Sequence, residues 1–323
     1  MSGGRLTMRL LCFLACSLVC FAQSTGGNAR LVTTDIDNFW KAYDAGRPGA
    51  REEAFQKLYF DAASPGLQDF IKSRIQSAAA LAATVDRCSK FYASVRANTL
   101  KVESQKPAIL ESLARFQELY PEAKFPAVYF VIGRLSSGGT TGKSGVLIGT
   151  EVSSLGPDVE TSEINPAFRR AMNPIERLPL IVIHELTHTQ VQGNSQAKAK
   201  ASWMGELLVA VLEEGAADFM TELVTGSTIN AYQHEFADAR REELFQRLAR
   251  DRAAKPDDVS KWLYNYNQAK DEPADLGYWL GAEICRDYYG KTQDKHAAVH
   301  EIVTMKNPDA IVRGSQYAWL LEP

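Results

Sequence analysis

Basic residues are in short supply in this chain of 323 residues. Its 36 Lys and Arg stand against 39 Asp and Glu, a formal net charge of −3. No basic stripe interrupts that balance, so a nucleic-acid partner is not expected. A membrane-length apolar run is also missing. The stretch that begins at Leu10 holds about 13 apolar residues, too few to span a bilayer comfortably. With Arg5 and Arg9 before it and Cys20-Phe21-Ala22 closing it on a small residue, it reads as a signal peptide over residues 1–22, cleaved before Gln23. A secreted or periplasmic protein with no stable membrane span follows. Cysteine is scarce as well: three of five lie in that leader, leaving Cys88 and Cys285. These two either pair across a long loop in an oxidising compartment or remain buried thiols. No internal repeat or low-complexity tract is present. Gly142-Lys143-Ser144 lacks the glycine that a phosphate-binding loop needs at position 137, which is Ser137, and a strand pattern follows it where a helix should.

Histidine is rare too, yet two of the five fall in one short run. His184-Glu185-Leu186-Thr187-His188 places two imidazoles four residues apart, hence on one helix face, with a carboxylate beside them. Zinc in a hydrolase takes three protein ligands and leaves one position open. The two His supply two of the three, and an adjacent carboxylate suits proton transfer from water. A third ligand must come from elsewhere in the chain. Leu212-Glu213-Glu214-Gly215-Ala216-Ala217-Asp218 is the best source, because Glu214 and Asp218 are again four apart.

HELTH followed by a helix carrying Glu-Gly-x-Ala-Asp resembles the gluzincin zinc metallopeptidases, whose third ligand is a glutamate on the second helix. The resemblance implies that His184, His188 and Glu214 hold Zn2+, that Glu185 is the general base, and that Asp218 orients one imidazole. Glu213 is the rival to Glu214. The flanks, from FVIGRLSSGGTTGKSGVLIGTE before the motif to LGYWLGAEICRDYY after it, are similar to secreted bacterial proteins described as predicted zinc-dependent proteases of unknown substrate. One departure matters: the Gly-x-Met-Glu-Asn segment of gluzincin aminopeptidases is absent, and Gly149-Thr150-Glu151 is a poor substitute. Action on free N-termini is therefore not implied.

The remaining pattern predicts an α+β, predominantly helical protein, with the zincin-like fold implied by the resemblance and a small sheet packed on the HExxH helix. After a linker at Gly26–Thr34, helices are expected over 35–43, 51–60, 65–75, 78–97 and 108–120, forming a helical N-terminal lobe over 23–125. A catalytic lobe would occupy 126–323. Ala127–Gly133 and Gly145–Val152 read as strands joined by a flexible hairpin loop, and the gluzincin resemblance implies that the edge of one of them receives an extended peptide. The metal helix should follow Asn173-Pro174 and end at Gly193, and Ser202 should cap the second helix, which closes at Gly226. Single helices are expected over 229–252 and 275–289, the latter with Gly277 and Gly281 permitting close approach. His296 and His300 share a helix face but lack a third ligand.

A peptidase also needs a donor for the developing oxyanion. In the enzymes the chain resembles, a Tyr, His or Arg placed after the third ligand serves, which implies Tyr278 here, with His234 as the alternative. The expected activity is hydrolysis of a peptide or protein substrate. A zinc-binding peptide groove without catalysis, and a zinc hydrolase of a non-peptide amide, are the two other readings.

Overall fold

The computed structural model describes residues 29–191, 202–266 and 268–322, so the leader and Gly193 lie outside the described residues. Seventeen buried apolar side chains between Ile36 and Val95 share one core with the rest of the described residues. It runs from Ile36, Phe39 and Trp40 through Val128–Ile132 and Ile183 to Leu320. The protein is predominantly helical with one four-stranded sheet of order β1-β2-β4-β3. Its strands are β1 (Leu31–Val32), β2 (Val128–Val131), β3 (Gly139–Gly142) and β4 (Gly145–Gly149).

Two expectations about this sheet fail. Residues 31–32 are not linker but a strand, parallel to β2 through Leu31↔Val128 and Val32↔Tyr129. The two apolar strands, β2 and β4, do not form a hairpin; they run parallel, Val128 opposite Val146 and Val131 opposite Gly149. The hairpin is made by β3, from the segment read as loop, which pairs antiparallel with β4 around Lys143-Ser144. Its Gly-Thr-Thr-Gly sequence has little strand character, and the pairing comes from the buried β4 beside it. Because β2 and β4 are both interior, neither offers an edge to a substrate. The edge on this side of the sheet is β3.

The N-terminal helices appear largely where periodicity places them, with breaks of tertiary origin. Thr34–Ala45 (α1) packs on β2, and Pro65–Phe70 (α2) is started by the Ser64 side chain and continues as a π turn over Ile71–Ile75. The expected single helix over 78–97 is two, Ala78–Arg87 (α3) and Ser89–Thr99 (α4), parted at Cys88. There the Glu163 carboxylate accepts from Phe91 N at 3.0 Å, satisfying a donor that opens the second helix. Val102–Leu119 (α5) begins earlier than expected, with Pro107 in its second turn. Cys88 and Cys285 are both buried free thiols.

Three further helices carry the site. Leu178–Val191 (α6) packs against β3 and β4, and its pattern is apolar almost all round because it is almost wholly enclosed. Glu206–Thr225 (α7) starts four residues after Ser202, following Gly205, whose φ of 82° suits glycine; Gly226 closes it in the left-handed conformation. Leu276–Lys291 (α8) lies along α7. A Cβ at Gly215 would fall on the Gly281 backbone, and one at Gly281 on Val211 O, so these two glycines set the α7–α8 distance. The glycine of the Glu-Gly-x-Ala-Asp motif is thus a packing requirement. Gly277 instead faces Trp262 and Leu263. The expected helix over 229–252 bends into Ala231–Ala237, a 3-10 turn and Arg241–Ala254, with Asp238 at the bend accepting from Trp279 Nε1 at 3.1 Å.

The loop after β2 is held by a buried acid. Glu151, fully enclosed, accepts from Gly133 N at 2.9 Å and Leu135 N at 3.2 Å, while Tyr59 and Tyr92 donate to Ile132 O and Gly133 O. Burial pushes the Glu151 carboxyl up to about 7, against the lowering effect of those backbone donors. A carboxyl raised in the folded state binds its proton there while the unfolded chain has already lost it. Stability from this group is therefore full below the ordinary glutamate range and falls as pH rises from about 4.5 to about 7. Denaturant titrations at pH 5 and pH 8 should show wild type losing on the order of 3 kcal/mol more than Glu151→Gln over that interval. Equal losses would remove Glu151 as the cause.

Candidate metal centre and cleft

α6 and α7 bring three ligand atoms to one point. His184 Nε2 and His188 Nε2 are 3.1 Å apart, and Glu214 Oε2 lies 3.4 and 3.2 Å from them. Glu213 is not in the group; it lines the cleft next to it. Among the described residues these three form the cluster with metal-ligand geometry, and His296 and His300 do not form a second. His300 instead meets the Tyr120 ring edge-on.

The donor set can be tested against a metal on its own geometry. A tetrahedral zinc with bonds of ~2.0–2.1 Å separates its ligand atoms by roughly 3.3 Å. The three observed edges bracket that value. Glu214 Oε2 is buried, and although it lies close to both imidazoles it has no well-aligned hydrogen bond. Asp218 Oδ1 receives His184 Nδ1 at 2.8 Å, which leaves the Nε2 lone pair directed at the cluster. Burial opposes charge at His184 and at Glu214. The carboxylates of Asp218 and Glu214 outweigh it at His184 and hold that imidazole well above its usual range. The two imidazoles outweigh it at Glu214 and hold that carboxyl well below its usual range. The pocket thus calls for positive charge among three donors, which a divalent ion supplies. Two nitrogens and one carboxylate oxygen are a zinc donor set.

Glu185 lies beside the imidazoles on α6, with its carboxylate against β3. Gly139 is what allows it: a Cβ there would overlap the Glu185 carboxylate. Burial raises the Glu185 carboxyl above its ordinary range, opposed by the charges of His184, His188 and Arg74. A cleft of about 690 Å³ opens in front, lined by His184, Glu185, His188 and Glu214, by Arg74 and Thr140 on the sheet side, and by tyrosines opposite. Tyr278 is one of these, its ring stacked on His184 at 5.9 Å and 20°. His234 does not line the cleft: it packs on Trp279, 3.7 Å from Asp238, because its short helix turns that face toward α8.

Several residues at the site carry no local sequence signal. Asn230 donates to Asp218 Oδ2 at 2.9 Å, fixing the carboxylate that orients His184. Tyr264, 62% exposed with a left-handed backbone (φ 57°), donates its hydroxyl to Glu214 Oε1 at 2.5 Å. Its loop is clamped by a reciprocal pair, Asn265 N to Asp275 Oδ1 and Asp275 N to Asn265 Oδ1, both 2.8 Å. Tyr264 therefore holds one Glu214 oxygen away from the cluster and leaves the other for the metal. Tyr264→Phe should weaken zinc binding by about 10-fold or more in a chelator competition. Tyr278→Phe should leave zinc affinity at the wild-type value, and equal affinities for all three proteins would show that the Tyr264 hydroxyl does not position the ligand.

Residues 166–312 match the model of a family described as "Predicted Zn-dependent protease (DUF2268)". The match covers just under half of the chain. It contains all three donors, Glu185, Asp218 and the cleft tyrosines Tyr264, Tyr266 and Tyr278, and leaves out the sheet and the helices before it. No curated protein and no solved structure matches the chain. Donor set and family description agree that the metal is zinc. No helix among the described residues is long and apolar enough to cross a membrane.

Proposed function

We propose that the protein is a secreted or periplasmic zinc peptidase of the gluzincin type, with a zincin-like catalytic unit built on β3, β4, α6 and α7. The observation that carries this reading is the triangle of His184, His188 and Glu214 atoms at one end of a cleft, with Glu185 beside it and outside the donor set. Zinc, when bound, supplies Lewis acidity toward a carbonyl oxygen and lowers the pKa of water. The chain's own groups do the rest. β3 pairs with an extended substrate by backbone hydrogen bonds along its free edge, the side away from β4. Glu185 accepts a proton from the attacking water and returns it to the leaving nitrogen. Tyr278 donates to the carbonyl oxygen as charge develops there. Asp218 and Asn230 keep His184 in the tautomer with its Nε2 lone pair facing the cluster.

A quenched-fluorescence peptide library tests the activity. Cleavage by zinc-loaded protein, abolished by a chelator and restored by added zinc, is the expected result. No cleavage of any peptide would leave a zinc-binding groove without catalysis or a hydrolase of non-peptide amides. Export is tested separately by the mature N-terminus, which should be Gln23.

A further inference from the structure

Among the described residues lining the cleft Arg74 is the one arginine or lysine, and the others that carry charge include Glu185, Glu213, Glu214 and Asp275. It sits on the π turn after α2, half-buried, and reaches the cleft across the sheet edge. Its Nη2 donates to Thr140 Oγ1 at 3.0 Å. Its Nε is buried and has no partner, and no carboxylate of the described residues forms an ion pair with the guanidinium. The backbone around it is fixed, since Arg74 O accepts from Arg134 Nε at 3.1 Å and Ser136 Oγ at 3.3 Å. A planar fork of donors, held in place and short of acceptors, is suited to a carboxylate.

Its place along the sheet edge sets which carboxylate. Gly139 abuts Glu185 and Thr140 holds Arg74, and these are successive residues of β3, ~3.3 Å apart along the strand. A peptide lying along β3 therefore brings groups within about two residues of its scissile bond to Arg74.

We propose that Arg74 is a specificity-determining residue that selects substrates bearing a carboxylate within two residues of the scissile bond, either an acidic side chain or the peptide's own C-terminus. This deepens the peptidase reading and rests on it. The test uses peptide sets carrying Glu or Gln at each position around the cleaved bond, each made as free acid and as C-terminal amide. With zinc-loaded full-length protein, kcat/KM for the carboxylate-bearing peptide should exceed that of its neutral counterpart by about tenfold. The ratio should fall to near one in Arg74→Gln and be partly kept in Arg74→Lys, which retains the charge without the fork. A preference that survives C-terminal amidation assigns the side chain; one lost on amidation assigns the terminus.

Binding gives a second readout that needs no turnover. Calorimetry of the same peptides on zinc-loaded Glu185→Gln protein should show the same preference in Kd, and its loss when Arg74→Gln is added. Cleavage without charge preference, or a preference unchanged by Arg74→Gln, overturns the assignment while leaving the peptidase reading intact. Absence of cleavage with carboxylate-dependent binding retained would do the reverse. Absence of both cleavage and carboxylate-dependent binding overturns the two together.

Discussion

Glu185→Gln lowers turnover of any cleaved peptide by about 10²–10⁴-fold while zinc content and thermal stability stay at wild-type values. The expectation follows from where the side chain lies. Glu185 shares α6 with both imidazoles but is outside the donor triangle, so its loss does not remove a ligand. Its carboxylate occupies the space left by Gly139, and an amide of the same shape fits there without moving β3. What the amide cannot do is take a proton from water. Steady-state kinetics beside elemental analysis of the same preparations separates the two effects. Turnover within a few-fold of wild type, with zinc retained, would place the proton acceptor elsewhere.

The parts of the site that depend on helical spacing are legible in the sequence. His184 and His188 share a face because they are four apart, and Glu214 and Asp218 do so for the same reason. The structure brings the first three together at 3.1–3.4 Å and sets Asp218 behind His184. The parts that depend on contacts between distant segments are not legible. β3 reads as a glycine-rich loop because its strand conformation is imposed by β4 and its glycine by Glu185, 46 residues on. Tyr264 comes from an irregular segment whose path is fixed by the Asn265–Asp275 clamp. Arg74 lies on a helix whose last turn widens to a π turn, which no periodicity announces. The sheet shows the same division. Val128–Val131 and Val146–Ile148 are recognisable as strands from β-branched and aromatic content, yet their parallel pairing is not, since a short glycine-bearing connection suggests a hairpin. The misplaced alternative donor, His234, has a similar origin: the bend at Asp238 rotates its helix, and one tertiary hydrogen bond from Trp279 marks that bend.

Glu214→Ala carries the second large effect, loss of the metal. Glu214 Oε2 is the carboxylate member of the triangle, buried and without an aligned donor, and two imidazoles alone leave zinc short of the ligand number it takes in proteins. Glu213 is its sequence neighbour and equal in charge, but a helix turns about 100° between adjacent residues, and its carboxylate is not in the cluster. The pair is therefore an internal control for charge. The decisive measurement is zinc content by elemental analysis after dialysis, on wild type, Glu214→Ala and Glu213→Ala prepared alike. About one zinc per chain in wild type and in Glu213→Ala, with none in Glu214→Ala, is the predicted result. Wild-type protein refolded with zinc present that retains none, or zinc kept by Glu214→Ala and lost by Glu213→Ala, would contradict it.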